Sequence, residues 1–332
     1  MKRLVFVTQA ADPTHPVLGA TLAKIRALAE RVDELVVLAG RIDEHALPAN
    51  CRALSFAAPT RALRGARYVA ALAPELARRR VAVLAHMAPV YALLAAPLTR
   101  PRRVPLLLWF TQQSAGRALE LAERVVDALL TVDPRSVPLD SPKVRAIGHG
   151  IDVAALPCVG ERRPPLRRLL GLGRYAPVKG WETVLRALPE LPGAELTLHG
   201  PMLTDADRAH RPALERLAKE LGVAERVRFG DEVPYAEVPT LLASADALVN
   251  ATRGDAADKV VYEAAAACLP VFAASPVFDR LLPDQLRFDG TPGQLAQRLR
   301  AYEGGAGRAL RARVEAEHSA ARWAERVLEL VG

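Results

Sequence analysis

The chain has 332 residues, enough for two domains of ordinary size. Hydrophobic residues make up 51% and charged residues 25%, which excludes a disordered, collagen-like or small disulfide-stapled chain. The net charge is +8, with only six Lys among the 45 cations, and the Arg residues are spread along the chain. That field favours anionic small-molecule or headgroup partners. It does not point to nucleic acid: aromatic content is 5%, and the basic stretches lack the interleaved aromatics used for base stacking.

Short apolar, β-rich runs alternate with longer amphipathic runs from the start. A strand is predicted at 4–8, a helix at 17–31 with apolar Leu18, Leu22, Ile25 and Leu28, and a second strand at 34–39. Further strands fit 52–57, 81–86, 104–110, 128–132 and 144–147. The segment 148–165, with Gly148, Gly150, Pro157, Gly160, Pro164 and Pro165, breaks this rhythm as a linker does. Alternation then resumes, with strands at 166–171, 195–199, 227–230, 247–250 and 271–274. Helices fit 181–188, 205–221, 236–244 and 258–268. The end, 308–331, reads as one long Arg/Glu-rich amphipathic helix. This pattern implies α/β architecture: two doubly wound, Rossmann-like domains with parallel sheets covered on both faces and a hinge near residue 150. Ligands in such sheets bind beyond the carboxyl ends of the strands.

Cys51, Cys158 and Cys268 are an odd number at wide spacing, so neither a disulfide framework nor a metal site is expected, and Cys268 reads as a small buried apolar residue. No stretch reaches the ~20 apolar residues of a membrane span. The first residues are too polar for a signal peptide, so a cytoplasmic protein is the simplest expectation.

Two segments carry chemistry. The first is Gly173-Arg174-Tyr175-Ala176-Pro177-Val178-Lys179-Gly180, between a predicted strand and a predicted helix. Arg174 and Lys179 can reach one diphosphate there, above a helix N-terminus whose N–H groups favour anions. The bland alternative is a solvated loop with two surface cations. The second runs from Gly254-Asp255 through Asp258-Lys259-Val260-Val261-Tyr262-Glu263-Ala264 to Cys268-Leu269-Pro270. Glu263 is a charge on an otherwise small and apolar helix and needs a partner. Across ~2 turns Asp255 and Glu263 can face one cleft. The bland alternative makes Asp255 a helix cap and Glu263 half of a buried ion pair.

Together these segments resemble the signature of the retaining GT-B-fold glycosyltransferases of glycosyltransferase family four (glycosyl transferases group 1). The resemblance extends to Pro16-Val17-Leu18-Gly19, His86-Met87-Ala88-Pro89, Leu108-Trp109-Phe110-Thr111, and Ser141-Pro142-Lys143-Val144 leading to Gly148-His149-Gly150-Ile151-Asp152. It implies an acceptor domain over 1–148, a donor nucleotide-sugar domain over 149–307, the two facing across a cleft, and a helix at 308–332 crossing back to the first domain. Arg174 and Lys179 would hold the donor pyrophosphate, so no metal ion or other cofactor is expected. Glu263 would bind ribose and Asp255 would stand near the transferred sugar. Gly173, Gly19 and the backbone of Val260 and Val261 would complete the donor site. His86, Gln112 and His149 are candidates for the acceptor side or the cleft.

The sequence departs from the family pattern in places. Asp255 replaces a usual Glu, with Asp258 as an alternative carboxylate; Gly19 stands without a second glycine; Gln112 replaces a frequent His and cannot act as a base. The expected activity is metal-independent transfer of a hexose from a nucleoside-diphosphate sugar to a glycan, lipid-linked or small-molecule hydroxyl. A sugar-nucleotide epimerase and a non-catalytic sugar-nucleotide-binding subunit are the alternatives. Asp205-Ala206-Asp207 with His210 spells a metal-like cluster but reads as acids in the first turn of a helix. Basic residues at Arg61, Arg64 and Arg67, at 78–80 and at Arg100, Arg102 and Arg103 can touch an anionic membrane surface, or simply face solvent.

Overall fold

The computed structural model describes residues 3–15, 17–78, 80–113 and 116–332. Pro16 of the first family-like motif and Arg79 of the cluster at 78–80 lie outside the described residues. The chain divides into two compact units, Met1–Asp152 with Glu317–Gly332, and Val153–Ala316.

The first unit is a seven-stranded sheet with helices. In chain order its elements are β1 (Arg3–Ala11), α1 (Thr21–Ala29), β2 (Glu34–Ile42), β3 (Cys51–Ser55), α2 (Arg61–Glu75), β4 (Val81–His86), α3 (Pro89–Thr99), β5 (Leu106–Trp109), α4 (Arg117–Val125), β6 (Ala128–Thr131) and β7 (Val144–Ala146). The strand order is β3-β2-β1-β4-β5-β6-β7, and every pairing is parallel. Leu4 to Val7 and all of Val81–His86 are buried, as strands covered on both faces require. The predicted first helix begins later than its apolar pattern, at Thr21, because residues 17–20 form turns. The order reverses direction between β1 and β4, and sheets of this topology bind ligands, where they bind them, beyond the carboxyl ends at such a reversal.

The second unit contains β8 (Arg168–Leu172), α5 (Trp181–Ala187), β9 (Glu195–His199), α6 (Asp205–Glu220), β10 (Val227–Gly230), α7 (Val238–Ser244), β11 (Ala247–Asn250), α8 (Lys259–Ala266), β12 (Val271–Ala273), α9 (Pro292–Arg300) and α10 (Gly307–Glu317). Its five strands are parallel in the order β10-β9-β8-β11-β12, with the reversal between β8 and β11. α9 was not among the expected helices, although Thr291 followed by Pro292 is a start signal: the Thr side chain accepts from Gln294 N at 3.4 Å.

Two expectations are corrected. The C-terminal segment is two helices, α10 and α11 (Ala320–Glu329), not one. His318 O accepts from Gly150 N (3.0 Å) and Ile151 N (2.8 Å), and Ser319 caps α11 by accepting from Arg322 N. Those bonds take the backbone out of helix between 317 and 320. Gly148, at φ +85°, is needed there, because a Cβ would strike Glu317 O. α11 packs on α1. Second, Cys158 and Cys268 form a disulfide, with Cα atoms 5.0 Å apart. The folded chain closes their separation of 110 residues, which spacing alone does not show.

Candidate functional site

At the reversal point of the second unit, the loop after β8 meets the loop after β11. Arg253 N donates to Val178 O at 2.9 Å, pinning one to the other. Gly180 adopts φ +64°, and a Cβ there would run into Ala251 O, so only glycine permits this approach. Trp181, fully buried at the start of α5, donates from Nε1 to Arg174 O at 3.0 Å and anchors the cation-bearing loop from below.

Lys179 is thereby placed against the start of α8. Its ammonium donates to Asp258 Oδ1 at 2.6 Å. Asp258 Oδ2 accepts from Asn250 Nδ2 at 2.9 Å and from the Thr252 hydroxyl. Burial pushes the Asp258 pKa up, but the Lys179 charge and the hydrogen bonds from Asn250, Lys179 and Thr252 outweigh it and hold the carboxyl below its usual range. Asp258 is the N-cap residue of α8, yet its side chain makes no capping bond. The first-turn N–H groups of α8, including those of Lys259 and Val260, therefore lack the side-chain acceptor that an N-cap Asp normally supplies. Gly173 stands beside the Lys179 stem, where a Cβ would lie 3.5 Å from Cε.

The other candidates of this unit are dispersed around that pair. Arg174, with its side chain 39% exposed, reaches Asp207 of α6 at 3.5 Å rather than Lys179. Asp207 is also part of a capping box with Thr204 at the head of α6. His210 bonds Tyr175 O at 2.8 Å and Glu182 Oε1 at 2.7 Å, so it braces the loop that carries Arg174. Glu263, 2% exposed, pairs with Lys259 at 2.9 Å, and the Lys259 ammonium lies 4.2 Å from the Tyr235 ring centroid. The bland alternative for the second segment holds in part: Glu263 is half of a buried ion pair, but Asp258 and not Asp255 holds the N-cap position. In the first segment Lys179 is enclosed and paired, while Arg174 stays partly exposed. Val261 is fully buried, and Asp255 lies in the loop between β11 and α8. Among the described residues, no three His, Cys, Asp or Glu side chains gather as a metal site.

In the first unit, His86 ends β4 and is 3% exposed, with Nδ1 3.4 Å from the Thr8 hydroxyl across the reversal point. Burial, and secondarily the Lys24 charge, holds its pKa far below the usual histidine value, so the ring is neutral. His149 is buried, its ring 6.2 Å from that of Trp109. Gly19 closes a turn onto His15 O at 2.9 Å, and Gln112 is exposed just after β5. Sequence reading missed Lys24, which is 3% exposed and lies 5.5 Å and 5.6 Å from the Trp109 and Trp323 ring centroids. The available signal was a cation beside the apolar stripe of α1, flanked by Leu22, Ile25 and Leu28.

His318, between α10 and α11, is likewise held down, to about 4, chiefly by burial. Both histidines take up protons in the unfolded chain that they refuse in the folded one. Stability of the first unit therefore falls as pH drops from about 6.5 toward 4, by up to ~1.4 kcal/mol per pH unit for each histidine. Thermal melts at pH 7 and pH 5 should show this loss, and His86→Gln should reduce it to the His318 share; a melting point constant over that interval in the wild type would contradict it.

Residues 167–300 match the family model described as Glycosyl transferases group 1. D-inositol 3-phosphate glycosyltransferase of Mycobacterium tuberculosis is 31% identical over 146 residues, covering 41% of this chain and 30% of that protein. The chain thus matches less than a third of the length of that curated relative. Among solved structures, sucrose-phosphate synthase from Thermosynechococcus elongatus superposes with a TM-score of 0.73 at 16% identity, over 99% of this chain and 98% of the other. Anabaena Alr3699/HepE, solved in complex with UDP-glucose, gives 0.73 at 16% identity over 99% of each chain. A glycosyltransferase from Rickettsia africae gives 0.74 at 12% identity, over 99% and 97%. These likenesses show the fold, which is GT-B.

Proposed function

We propose that the chain is a glycosyltransferase that moves a sugar from a nucleoside-diphosphate donor to an acceptor hydroxyl, with retention at the anomeric carbon and without a metal ion. The observation that carries this reading is Lys179 seated against the N-terminus of α8 at the β8/β11 reversal point. That is where an α/β unit binds phosphates, and it falls inside the stretch matching the family model. The capture of UDP-glucose by a neighbour of the same fold supports a nucleotide-sugar donor.

In this reading Lys179 and the first N–H groups of α8 hold the leaving diphosphate, and Arg174 swings from Asp207 to join them. Spreading the developing charge over two cations and backbone dipoles replaces the work of a metal. Glu263 accepts from ribose hydroxyls, and Asp255 meets the transferred sugar. Gly19 adds to the donor site, and the surroundings of Gln112 and His149 line the acceptor side. His86, neutral and bonded to Thr8, serves better as a hydrogen-bonding group than as a base. No helix among the described residues is long and apolar enough to cross a membrane. The exposed Arg61 and Arg67 of α2, set against an anionic surface, fit lipid-linked acceptors.

The test is a thermal-shift screen over UDP-, GDP- and ADP-sugars, followed by transfer with the donor that binds. One donor should raise the melting point by mass action, as ~2.7 kcal/mol at a hundredfold excess over Kd. If none of them stabilises the protein, the reading fails. A donor that binds but is never turned over with any acceptor leaves a sugar-nucleotide-binding subunit instead.

A further inference from the structure

Three of the cations around the β8/β11 crevice carry acid partners: Arg174 with Asp207, Lys179 with Asp258 and Lys259 with Glu263. In the Lys179 pair both side chains are enclosed, 15% and 16% exposed. Asp258 is also the best held. Asn250 and Thr252, buried at the end of β11, fix its second oxygen, while its first oxygen is on the ammonium. An Asp in that position would ordinarily fold back to cap its own helix; this one does not, and turns across to the neighbouring loop.

We propose that Asp258 is a positioning residue: a resident counter-ion that pre-orients Lys179 and competes with an arriving phosphate group for it, setting how strongly this crevice binds anions. A phosphate-bearing ligand cannot simply add to a bare cation here. It must displace or share the Asp258 contact. The carboxylate stays ionised through the neutral range, so the competition does not switch off. The result is an ammonium held in place, at the cost of ground-state affinity for the anion. Such an arrangement lets a diphosphate leave after reaction instead of remaining clamped.

This inference rests on the proposed reading of the crevice as a phosphate site, but not on sugar transfer. The measurement is calorimetric binding of inorganic pyrophosphate to the full chain across a range of salt concentrations. Asp258→Asn keeps the side-chain shape and removes the charge. It should bind pyrophosphate about tenfold more tightly, with a steeper salt dependence, since one uncompensated cation is added to the site. Asp258→Glu should behave like the wild type. In a Lys179→Met background the Asp258→Asn gain should vanish, which shows that the effect runs through the ammonium. Unchanged or weaker binding by Asp258→Asn overturns the inference, as does an equal gain without Lys179. Should Asp258→Asn fail to fold, the wild type still decides: a shallow salt dependence is expected, and one as steep as that of an unpaired cation overturns the proposal. Tighter pyrophosphate binding by Asp258→Asn with no sugar transfer from any donor would sink the transferase and leave this inference standing. Normal transfer with unaltered pyrophosphate affinity would do the reverse.

Discussion

Lys179→Ala is expected to abolish donor binding and, at the same time, to destabilise the second unit. Removing the ammonium strands Asp258, which is enclosed beside Asn250 and Thr252 and has lost its charge partner. Breaking one side of an enclosed ion pair costs roughly 3 kcal/mol. Loss of a cation from a developing-charge site costs about 10²–10³ in rate. The two consequences separate in the double variant. Lys179→Met with Asp258→Asn removes both charges, so stability should return to within about 1 kcal/mol of the wild type while transfer remains lost. Denaturant melts and a transfer assay on the three proteins check this. If Lys179→Ala unfolds at the wild-type denaturant concentration and keeps its rate, the pair is neither an electrostatic anchor nor a phosphate grip.

The fold was legible because both sheets are parallel and buried on both faces. Runs such as Leu4 to Val7 or Val81 to Ala85 are continuously apolar, and most strands are separated from the next by a helix-length amphipathic stretch. What the pattern could not show was where helices end against tertiary contacts. The final Arg/Glu-rich run keeps helical periodicity through His318, and only the backbone bonds to Gly150 and Ile151 interrupt it. Those bonds involve residues more than 160 positions away, beyond any local signal.

The site was legible in its cations and less so in its acids. Gly173, Arg174, Lys179 and Gly180 stand out as a loop because glycine and cations cluster between a strand and a helix, and the structure places that loop at the reversal point. Which carboxylate faces which cation depends on side-chain direction. Asp255 and Asp258 are three positions apart and equally plausible on spacing, yet it is Asp258 that meets Lys179. The Asp207 contact with Arg174 joins elements separated by a strand and a crossover, so spacing carries no trace of it. The buried Lys24 was hidden for a different reason. A single cation beside an apolar stripe reads as solvated until the two Trp rings that cover it are brought together by folding.

The disulfide carries the second large effect. Cys158 is exposed within the 148–165 segment, and Cys268 is buried two residues beyond the end of α8. Cys268 sits at φ +59°, a left-handed conformation that costs a side chain about 1 kcal/mol relative to glycine. The same junction is held by Val159 N donating to Ala267 O at 2.9 Å, and by Arg311 Nη1 donating to Leu156 O and Ala266 O at 2.6 Å each. Closing a loop of about 100 residues removes ~4.7 kcal/mol of unfolded-chain entropy in the loop-closure account. Cys158→Ser should therefore lower the melting temperature of the second unit by roughly 10 °C, and reductant should do the same to the wild type but nothing to the variant. Cys268→Gly should lose less than Cys268→Ala, because glycine accepts the left-handed backbone. Cys51 supplies the internal control: burial pushes its thiol up to about 11, so it stays slow to react while the exposed Cys158 of the reduced pair is alkylated. A wild-type chain that melts at the same temperature with and without reductant would show that this covalent link adds nothing to the Arg311 and Val159 bonds around it.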